Sequence, residues 1–261
     1  MPLIIPGFEH KLPDAVFVRG VPGGSLEEVV LYLDVLHALK LMNIPVYNDG
    51  HAVERSVDKG MTSFLLHRAG LPTPPTWVLR DREEALSVAE AELKQGYHLI
   101  SKPLFGSQGE GIRRLEKMTD LFWLADSRGV YYLQRFVHCA GDGFSDHRVF
   151  VINGRAVAAM RRRGKSWLNN VSQGASCERI TPDSEMARLA VKAAETLAMD
   201  YAGVDIMIDR EGRHTVIEVN SIPAWKGLQS VCDVNIAGLL ADDLIERHIE
   251  KSHQGRVSAV L

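Results

Sequence analysis

The chain has 261 residues, of which 46% are hydrophobic and 24% are charged, a composition typical of a globular protein with a substantial core. With 30 Lys and Arg against 33 Asp and Glu, the formal net charge is −3, which argues against general nucleic-acid binding. We find no apolar run long enough for a membrane helix, no charged start of a signal peptide and no motif among the three cysteines. We therefore expect a cytoplasmic protein that binds neither nucleic acid nor membrane.

The first part of the chain alternates short strands with helices. Ser25 and Glu28 form a capping-box pattern that predicts a helix ending near residue 43, and Asp81 and Glu84 repeat it for a helix to about residue 95. The other predicted strands and helices of this part lie at residues 14–19, 45–47, 57–69, 76–79, 99–104, 119–126 and 130–137. The second part is richer in strands, with helices predicted at residues 182–199 and 236–250. This order indicates an α+β fold with a small N-terminal α/β segment.

One predicted hairpin carries a cluster of charged side chains. The Asn-Gly pair at residues 153–154 is typical of a two-residue type I′ turn, which would place Asp146 opposite Arg161. Because side chains alternate along a strand, Arg148 and Arg163 should share the face of that pair. Arginine binds carboxylates and phosphates at two points, so this face can form a wall of a site. An exposed charged edge or a nucleic-acid patch is the alternative interpretation.

A second predicted hairpin, turning at residues 209–212, carries oxygen ligands for a metal. This turn would place Asp205 opposite Val216, so that Asp205, Glu218 and Asn220 lie on one face. Two carboxylates and an amide oxygen in an apolar hairpin suit Mg²⁺, which usually accompanies phosphates. Two acidic residues on an exposed strand face are the alternative.

A glycine-rich loop follows the predicted strand that contains Lys102. Gly106, Gly109 and Gly111 allow backbone N–H groups to approach phosphate oxygens, and the lysine adds a positive charge. The spacing is neither that of a Walker A loop nor that of the dinucleotide-binding fingerprint. A flexible surface loop is the alternative, and the nearby metal-ligand pattern favours the phosphate interpretation.

Four segments occur together in the order found in one family. They are VDKGMTSFLLHRAGLPTPPTW, SKPLFGSQGEGI, LQRFVHCAGDGFSDHRVFVINGRAVAAMRR and AGVDIMIDREGRHTVIEVNSIPAWKGL. Over residues 14–250 the chain resembles the ATP-grasp ligases, and within them the RimK-like α-amino-acid ligases. The resemblance implies an ATP-grasp fold, in which two α+β lobes clasp ATP. The implied parts are a shortened N-terminal segment (1–50), a nucleotide lobe (51–136), a metal lobe (137–253) and a tail (254–261).

The resemblance also implies an activity. It implies ATP- and Mg²⁺-dependent amide formation through an acyl phosphate, with L-glutamate as the expected amine. The expected acceptor is the carboxylate of a small molecule, including a pterin-type cofactor, or of a peptide. Two Mg²⁺ ions are expected, with Mn²⁺ as a substitute, and the short N-terminal segment is compatible with a homodimer or higher oligomer. The alternatives are a non-catalytic ATP-binding sensor or subunit and an ATP-dependent kinase.

Roles for single residues follow from their positions in the family's motifs. The expected catalytic residues are Arg148 and Arg161, and the expected metal ligands are Asp205, Glu218 and Asn220. The residues expected to bind ATP are Lys59, Lys102, Gly106, Ser107, Gln108, Gly109, Gly111, Gln134, Arg135, Phe136, Val137 and Asp146. The residues expected to bind substrate are Arg19, Asn170, Trp225 and Lys226, with Trp225 stacking on a flat acceptor.

The sequence departs from the family pattern at two of these places. Arg135 stands where family members often have an acid, which matters little if only the backbone contacts adenine. Leu168 stands where RimK itself has an arginine, so Arg163 or Lys165 is expected to supply part of that phosphate contact.

Overall fold

The computed structural model describes residues 3–106, 109–141, 143–164, 166–167 and 174–250. Its N-terminal part contains β1 (Val16–Phe17), α1 (Leu26–Leu41), β2 (Val46–Tyr47), α2 (Gly50–Val57) and α3 (Lys59–Arg68). Strands β1 and β2 form a small parallel sheet. The predicted capping box is confirmed, because Ser25 and Glu28 each accept a hydrogen bond from the other's backbone N–H.

A four-stranded antiparallel sheet follows. It is formed by β3 (Thr76–Leu79), β4 (Leu99–Lys102), β5 (Arg113–Leu115) and β6 (Tyr131–Arg135), in the order β3-β6-β4-β5. Helix α4 (Arg82–Lys94) and a 3₁₀ helix (Met118–Trp123) accompany this sheet. Ala85 and Ala89 of α4 are fully buried with Leu99 and Leu133, which gives the sheet its own small core.

A five-stranded antiparallel sheet forms the second half, in the order β11-β10-β7-β8-β9. Its elements are β7 (Phe144–Ile152), β8 (Arg155–Gly164), β9 (Ser176–Ile180), α5 (Ser184–Thr196), β10 (Tyr201–Ile208) and β11 (His214–Asn220). Helices α6 (Lys226–Gln229) and α7 (Ile236–Leu244) and a π-helical segment (Ile245–Glu250) complete the described chain. These helices and sheets form the α+β fold expected from the sequence.

Several predicted elements differ from the observed ones. The helix predicted at 57–69 is α3, and the preceding α2 was not predicted. Strands β5 and β9 and helix α6 were also missed, because these short elements have no clear apolar period. Among the described residues, no helix has the length and apolar character needed to cross a membrane. All three cysteines are free thiols.

The first hairpin contains a β-bulge that changes which arginine faces the site. The turn pairs Ile152 with Arg155 as predicted, but the register shifts beside Phe150. Asp146 therefore lies opposite Arg162, and the predicted pairing with Arg161 is wrong by one residue. A bulge adds one residue to one strand and leaves little trace in the apolar pattern, so the sequence could not reveal it.

The second hairpin is also bulged. Ile208 pairs with His214, and the register shifts again beside Asp205. Asp205 lies opposite Glu218 rather than Val216, so the predicted pairing is wrong. The shift nevertheless keeps Asp205, Glu218 and Asn220 on one face, which confirms that part of the prediction.

Asn48, just after β2, joins the N-terminal part to the five-stranded sheet. Its side chain is fully buried, and its Nδ2 donates to the backbone carbonyls of Tyr201 and Ser221, at 2.7 Å each. Its Oδ1 accepts from the backbone N–H groups of Asp200 and Tyr201 at 2.6 and 3.2 Å. One amide thereby satisfies four backbone groups at the start of β10 and just beyond β11.

We expect Asn48→Ala to lower the free energy of unfolding by about 2–4 kcal/mol, because it leaves buried backbone groups unpaired. The measurement is urea denaturation followed by circular dichroism. Gln95→Ala, at an exposed position after α4, is the control and should change the midpoint little. Equal stability of Asn48→Ala and the wild type would contradict the assigned role.

Candidate active site

A cavity of about 530 Å³ is lined by residues of both large sheets. Its volume lies in the range of small-ligand sites. Fourteen of the residues predicted for a site line it: Lys59, Lys102, Gly106, Gly109, Gln134, Arg135, Phe136, Val137, Asp146, Arg148, Asp205, Glu218, Asn220 and Lys226. Ser107, Gln108 and Asn170 lie outside the described residues. Gly111, Arg161, Arg19 and Trp225 are described but do not line this cavity.

Two lysines stand beside the glycine-rich loop. The Nζ atom of Lys59, the first residue of α3, donates to the carbonyls of Leu104 (3.4 Å) and Gly106 (2.8 Å). Lys102, the last residue of β4, donates to Gln134 Oε1 at 2.7 Å. Burial lowers the pKa of both lysines, and that of Lys102 falls to about 8. These are two desolvated cations without a carboxylate partner within the described part of the chain.

The backbone of the loop takes conformations that only glycine adopts readily. The φ angles of Gly106, Gly109 and Gly111 are +137°, +80° and +70°. At Gly111 a Cβ atom would also lie 2.8 Å from Cγ of Pro103. Gly111 therefore allows the loop to pack closely against Pro103, whereas Gly106 and Gly109 line the cavity.

The segment from Gln134 to Val137 passes along the cavity at the end of β6. The side chain of Arg135 is held by Glu92 of α4, with one hydrogen bond of 3.0 Å, and its guanidinium carbon lies 3.7 Å from the centre of the Tyr97 ring. Arg135 is thus fixed by neighbours on α4 and beyond it. The side chain at the position where family members often have an acid is therefore engaged within the protein.

Four charged side chains form one chain of ion pairs on the face of the five-stranded sheet. Arg148 Nε and Nη2 donate to Asp205 at 2.7 Å each. Arg162 donates to both oxygens of Asp146 at 2.6 and 2.9 Å, and its Nη2 also lies 2.9 Å from Asp205 Oδ2. Arg162, which the sequence analysis did not select, is 4% exposed and connects the two acids.

The pKa values of the two acids of this network are shifted in opposite directions. Burial raises the pKa of Asp146 to about 6, even though Arg162 favours its ionised form. Burial acts in the same direction on Asp205, but the guanidinium groups of Arg148 and Arg162 outweigh it and hold the pKa at about 2. Asp205 is therefore a firm carboxylate at neutral pH, which a metal ligand must be.

Glu218 and Asn220 complete an oxygen-rich corner. Glu218 lies opposite Asp205 and makes no hydrogen bond or ion pair within the described ranges, although it lines the cavity. Asn220 Nδ2 donates to the Gly203 carbonyl at 3.3 Å, which leaves its side-chain oxygen for another partner. Because a carboxylate oxygen has two lone pairs, Asp205 Oδ1 can accept from Arg148 and still coordinate a cation. The three side chains fit a hard cation such as Mg²⁺.

Arg161 lies on the other face of β8. Its guanidinium donates to Glu178 of β9, with a hydrogen bond of 3.0 Å from Nε, and Arg163 also contacts Glu178 at 3.2 Å. Neither arginine lines the cavity. The expectation that Arg161 faces the reacting groups rested on the unbulged register, and Arg162 occupies that place.

A second, more open hollow adjoins the cavity. Arg19, Trp225 and Lys226 line it, and Lys226 and Ala224 line both spaces. The guanidinium carbon of Arg19 lies 3.9 Å from the centre of the Trp225 ring. Arg19 therefore covers one face of the Trp225 ring. The predicted stacking of a flat acceptor on Trp225 would need the part of the ring that Arg19 does not cover.

Residues 56–244 match the model of the family described as the RimK-like ATP-grasp domain. The chain belongs to this family. It is 36% identical over 241 residues to the tetrahydromethanopterin:α-L-glutamate ligase of Methanocaldococcus jannaschii, covering 89% of this chain and 79% of that protein. It is 28% identical to the α-aminoadipate–LysW ligase LysX of Saccharolobus solfataricus, covering 77% and 74% of the two chains. The structure of the ATP-grasp ligase PsnB with a precursor variant, Mg and ADP has a TM-score of 0.67 at 26% identity, covering 90% and 78%.

Further residues of this RimK-like site escaped the sequence analysis. Six apolar side chains also line the cavity: Ile100, Ile112, Met160, Trp167, Met207 and Ile217. Met160 and Arg162 belong to the face that the bulge turns inward. The alternation of side chains that identifies Asp205 and Glu218 could not identify Met160 and Arg162, because these two residues lie on a different hairpin.

We expect Arg162→Ala to lower the free energy of unfolding by about 3–5 kcal/mol, since it leaves Asp146 and Asp205 buried with fewer partners. Arg161→Ala is the matched control on the same strand and should have a small effect, because its pair with Glu178 is solvent-exposed. Both are measured by urea denaturation at neutral pH. A larger loss for Arg161→Ala than for Arg162→Ala would favour the unbulged register.

Proposed function

We propose that this chain is an ATP- and Mg²⁺-dependent ligase that joins the amine of L-glutamate to a carboxylate through an acyl phosphate, releasing ADP. The observation that carries the proposal is the placement of Lys59, Lys102 and Glu218 around one cavity with Asp205 and Asn220. Family membership supports it, as do the names of the relatives, which are glutamate and aminoadipate ligases.

The proposed nucleotide site lies between the glycine-rich loop and the hinge segment. Lys59 and Lys102 would bind phosphate oxygens, with N–H groups of the loop supplying further donors. The backbone N–H groups of Arg135 and Phe136 already donate to the carbonyls of Pro75 and His98, at 2.9 and 2.8 Å. The N–H of Val137 has no backbone acceptor among the described residues and is our candidate donor to adenine.

We propose Asp205, Glu218 and Asn220 as ligands of Mg²⁺, two ions being expected with ATP. Bound there, Mg²⁺ would neutralise charge on the phosphate oxygens, which is the main requirement of phosphoryl transfer. Asp146 is buried next to the ligand Asp205, and Arg162 keeps the two acids at a fixed separation.

The proposed reaction begins with attack of the acceptor carboxylate on the γ-phosphate, and the amine then displaces phosphate from the acyl phosphate. Arg148 and Arg162, in place of Arg161, would stabilise the negative charge that develops on the reacting oxygens. Water must be excluded while the acyl phosphate exists, because water would hydrolyse it.

We place the acceptor in the adjoining hollow. Arg19 and Lys226 supply two cations there, and Lys226 also reaches the nucleotide cavity. A carboxylate held by these side chains would point toward the phosphates. Both a pterin-type molecule and a peptide fit this description. We retain residues 51–136 and 137–253 as the two lobes that enclose the reaction.

The direct test is ADP release with Mg-ATP, L-glutamate and a panel of carboxylate acceptors, with products identified by mass spectrometry. We expect acceptor-dependent ADP together with a product heavier by one glutamyl unit. ADP with a phosphorylated product and no amide would indicate a kinase. Nucleotide binding without ADP formation for any acceptor would indicate a sensor. Either result would overturn the proposal.

Glu218→Gln separates turnover from folding in this assay. The substitution keeps the shape of the side chain and removes the charge proposed to bind the metal. We expect turnover to fall by at least about 100-fold with little change in thermal stability. Glu211→Gln, in the exposed turn of the same hairpin, is the control and should keep full turnover.

Nucleotide affinity should fall as pH rises from 7 to 9. The pKa of Lys102 is lowered by burial to about 8, so the fraction of charged lysine falls about tenfold over this interval. Since a phosphate binds the charged form, we expect the dissociation constant of Mg-ADP, measured by calorimetry, to rise by up to about tenfold. Lys102→Arg stays charged and should show a flatter profile. Equal slopes for the two proteins would assign the titration to another group.

A further inference from the structure

Outside the cavity, two histidines and a glutamate meet where α1 lies against α2. His37 Nε2 lies 2.7 Å from Glu54 Oε1, and His51 Nδ1 lies 3.0 Å from Glu54 Oε2. One ligand atom from each of the three residues lies within 4.8 Å of the others. His51 and Glu54 are three residues apart on α2, so their side chains share a face, and His37 reaches them from α1.

The backbone is shaped to admit the His37 ring. Position 50, at the start of α2, is a glycine, and a Cβ atom there would lie 2.9 Å from His37 Cε1 and 3.1 Å from Nδ1. The centres of the His37 and His51 rings are 4.5 Å apart. Any larger residue at position 50 would displace the His37 ring, and with it the meeting of the three side chains.

The electrostatics leave one carboxylate shared between two imidazoles. Burial alone would raise the pKa of Glu54, but hydrogen bonds from His37 and His51 outweigh it, so the group is ionised at neutral pH. Glu54 therefore offers a negatively charged oxygen next to two imidazole nitrogens.

We propose that His37, His51 and Glu54 bind one divalent transition-metal ion of the zinc class. Two imidazole nitrogens and a carboxylate are the ligands that Zn²⁺ and Co²⁺ prefer, whereas Mg²⁺ prefers oxygen alone. Ligand atoms around a tetrahedral zinc lie about 3.3 Å apart, given zinc–nitrogen distances of about 2.0–2.1 Å. The observed separations of 2.7 and 3.0 Å join the two histidines to different oxygens of Glu54. One ligand atom of each residue lies within 4.8 Å of the others, so side-chain shifts bring the three ligand atoms to that spacing. The fourth position is left to water.

The ion would cross-link α1 and α2 next to the proposed nucleotide cavity. Helix α2 ends at Val57, two residues before Lys59, and Ser56 Oγ donates to Ser221 Oγ at 2.6 Å. Ser221 directly follows Asn220. The metal site thus holds the helix that leads into the nucleotide lysine, without contributing to the cavity lining itself. The role of the ion is structural.

The test is titration of the untagged, metal-free full chain with Co²⁺ in the presence of excess Mg²⁺, which occupies any oxygen-only site. We expect one equivalent of Co²⁺ to give the intense visible absorption of a low-coordinate site, and one equivalent of Zn²⁺ to abolish it. His37→Ala and His51→Ala should each weaken binding by at least about 100-fold. Zn²⁺ should raise the melting temperature of the wild type and leave that of both variants unchanged.

His67→Ala, which removes an exposed histidine of α3, is the matched control and should bind Co²⁺ as the wild type does. Circular dichroism without metal establishes that the variants are folded, and His37→Gln replaces His37→Ala if that variant is not. Three results would overturn the proposal. They are the absence of Co²⁺ absorption in the wild type, full binding by His37 and His51 variants that are folded, and equal loss in His67→Ala.

Discussion

Successive side chains of β7, β8 and β10 point to opposite faces of the five-stranded sheet. One face packs apolar side chains together with α5, and the other combines the paired charges of the site with buried apolar side chains such as Phe150 and Met160. Val149, Val204 and Ile206 are fully buried in the cluster that also contains residues of α5. Arg148 and Asp205, one residue away on the same strands, lie on the cavity side. The core thus fixes the face on which Arg148 and Asp205 appear.

The ionised groups on the cavity side of the sheet can be buried because they are paired. An ionised group removed from water costs several kcal/mol, and this cost is offset only with good geometry and additional hydrogen bonds. Each acid of the network receives two-point contacts from an arginine, and Arg162 serves both acids. Glu218 and Lys102 are the contrast, because neither forms an ion pair within the described residues and both face a space that a ligand would fill.

Local patterns in the sequence were sufficient for much of the fold. The Ser25 capping box, the turn at residues 153–154 and the shared face of Asp205 and Glu218 all depend on neighbouring residues only. The pairing registers were wrong because each bulge is decided by packing across the sheet. The choice between Arg161 and Arg162 followed the register, so a one-residue shift in a strand was enough to select the wrong arginine.

The same limit explains the rest of the site. Lys102 and the glycines were recognisable because phosphate binding needs those residue types next to each other in the chain. Met160, Met207 and Ile217 come from three strands of one sheet, and nothing in their local sequence distinguishes a cavity wall from ordinary core. The meeting of His37 with His51 and Glu54 depends on how α1 lies on α2, which no periodicity describes.

Asn48 links the small N-terminal part of the chain to the five-stranded sheet. Its four hydrogen bonds end on Asp200, Tyr201 and Ser221, so separating the first fifty residues would break contacts inside the sheet that carries Asn220. We therefore expect the first segment and the five-stranded sheet to unfold together. A domain boundary after residue 50 would mark a change in chain topology. It would not separate two parts of the chain that unfold independently.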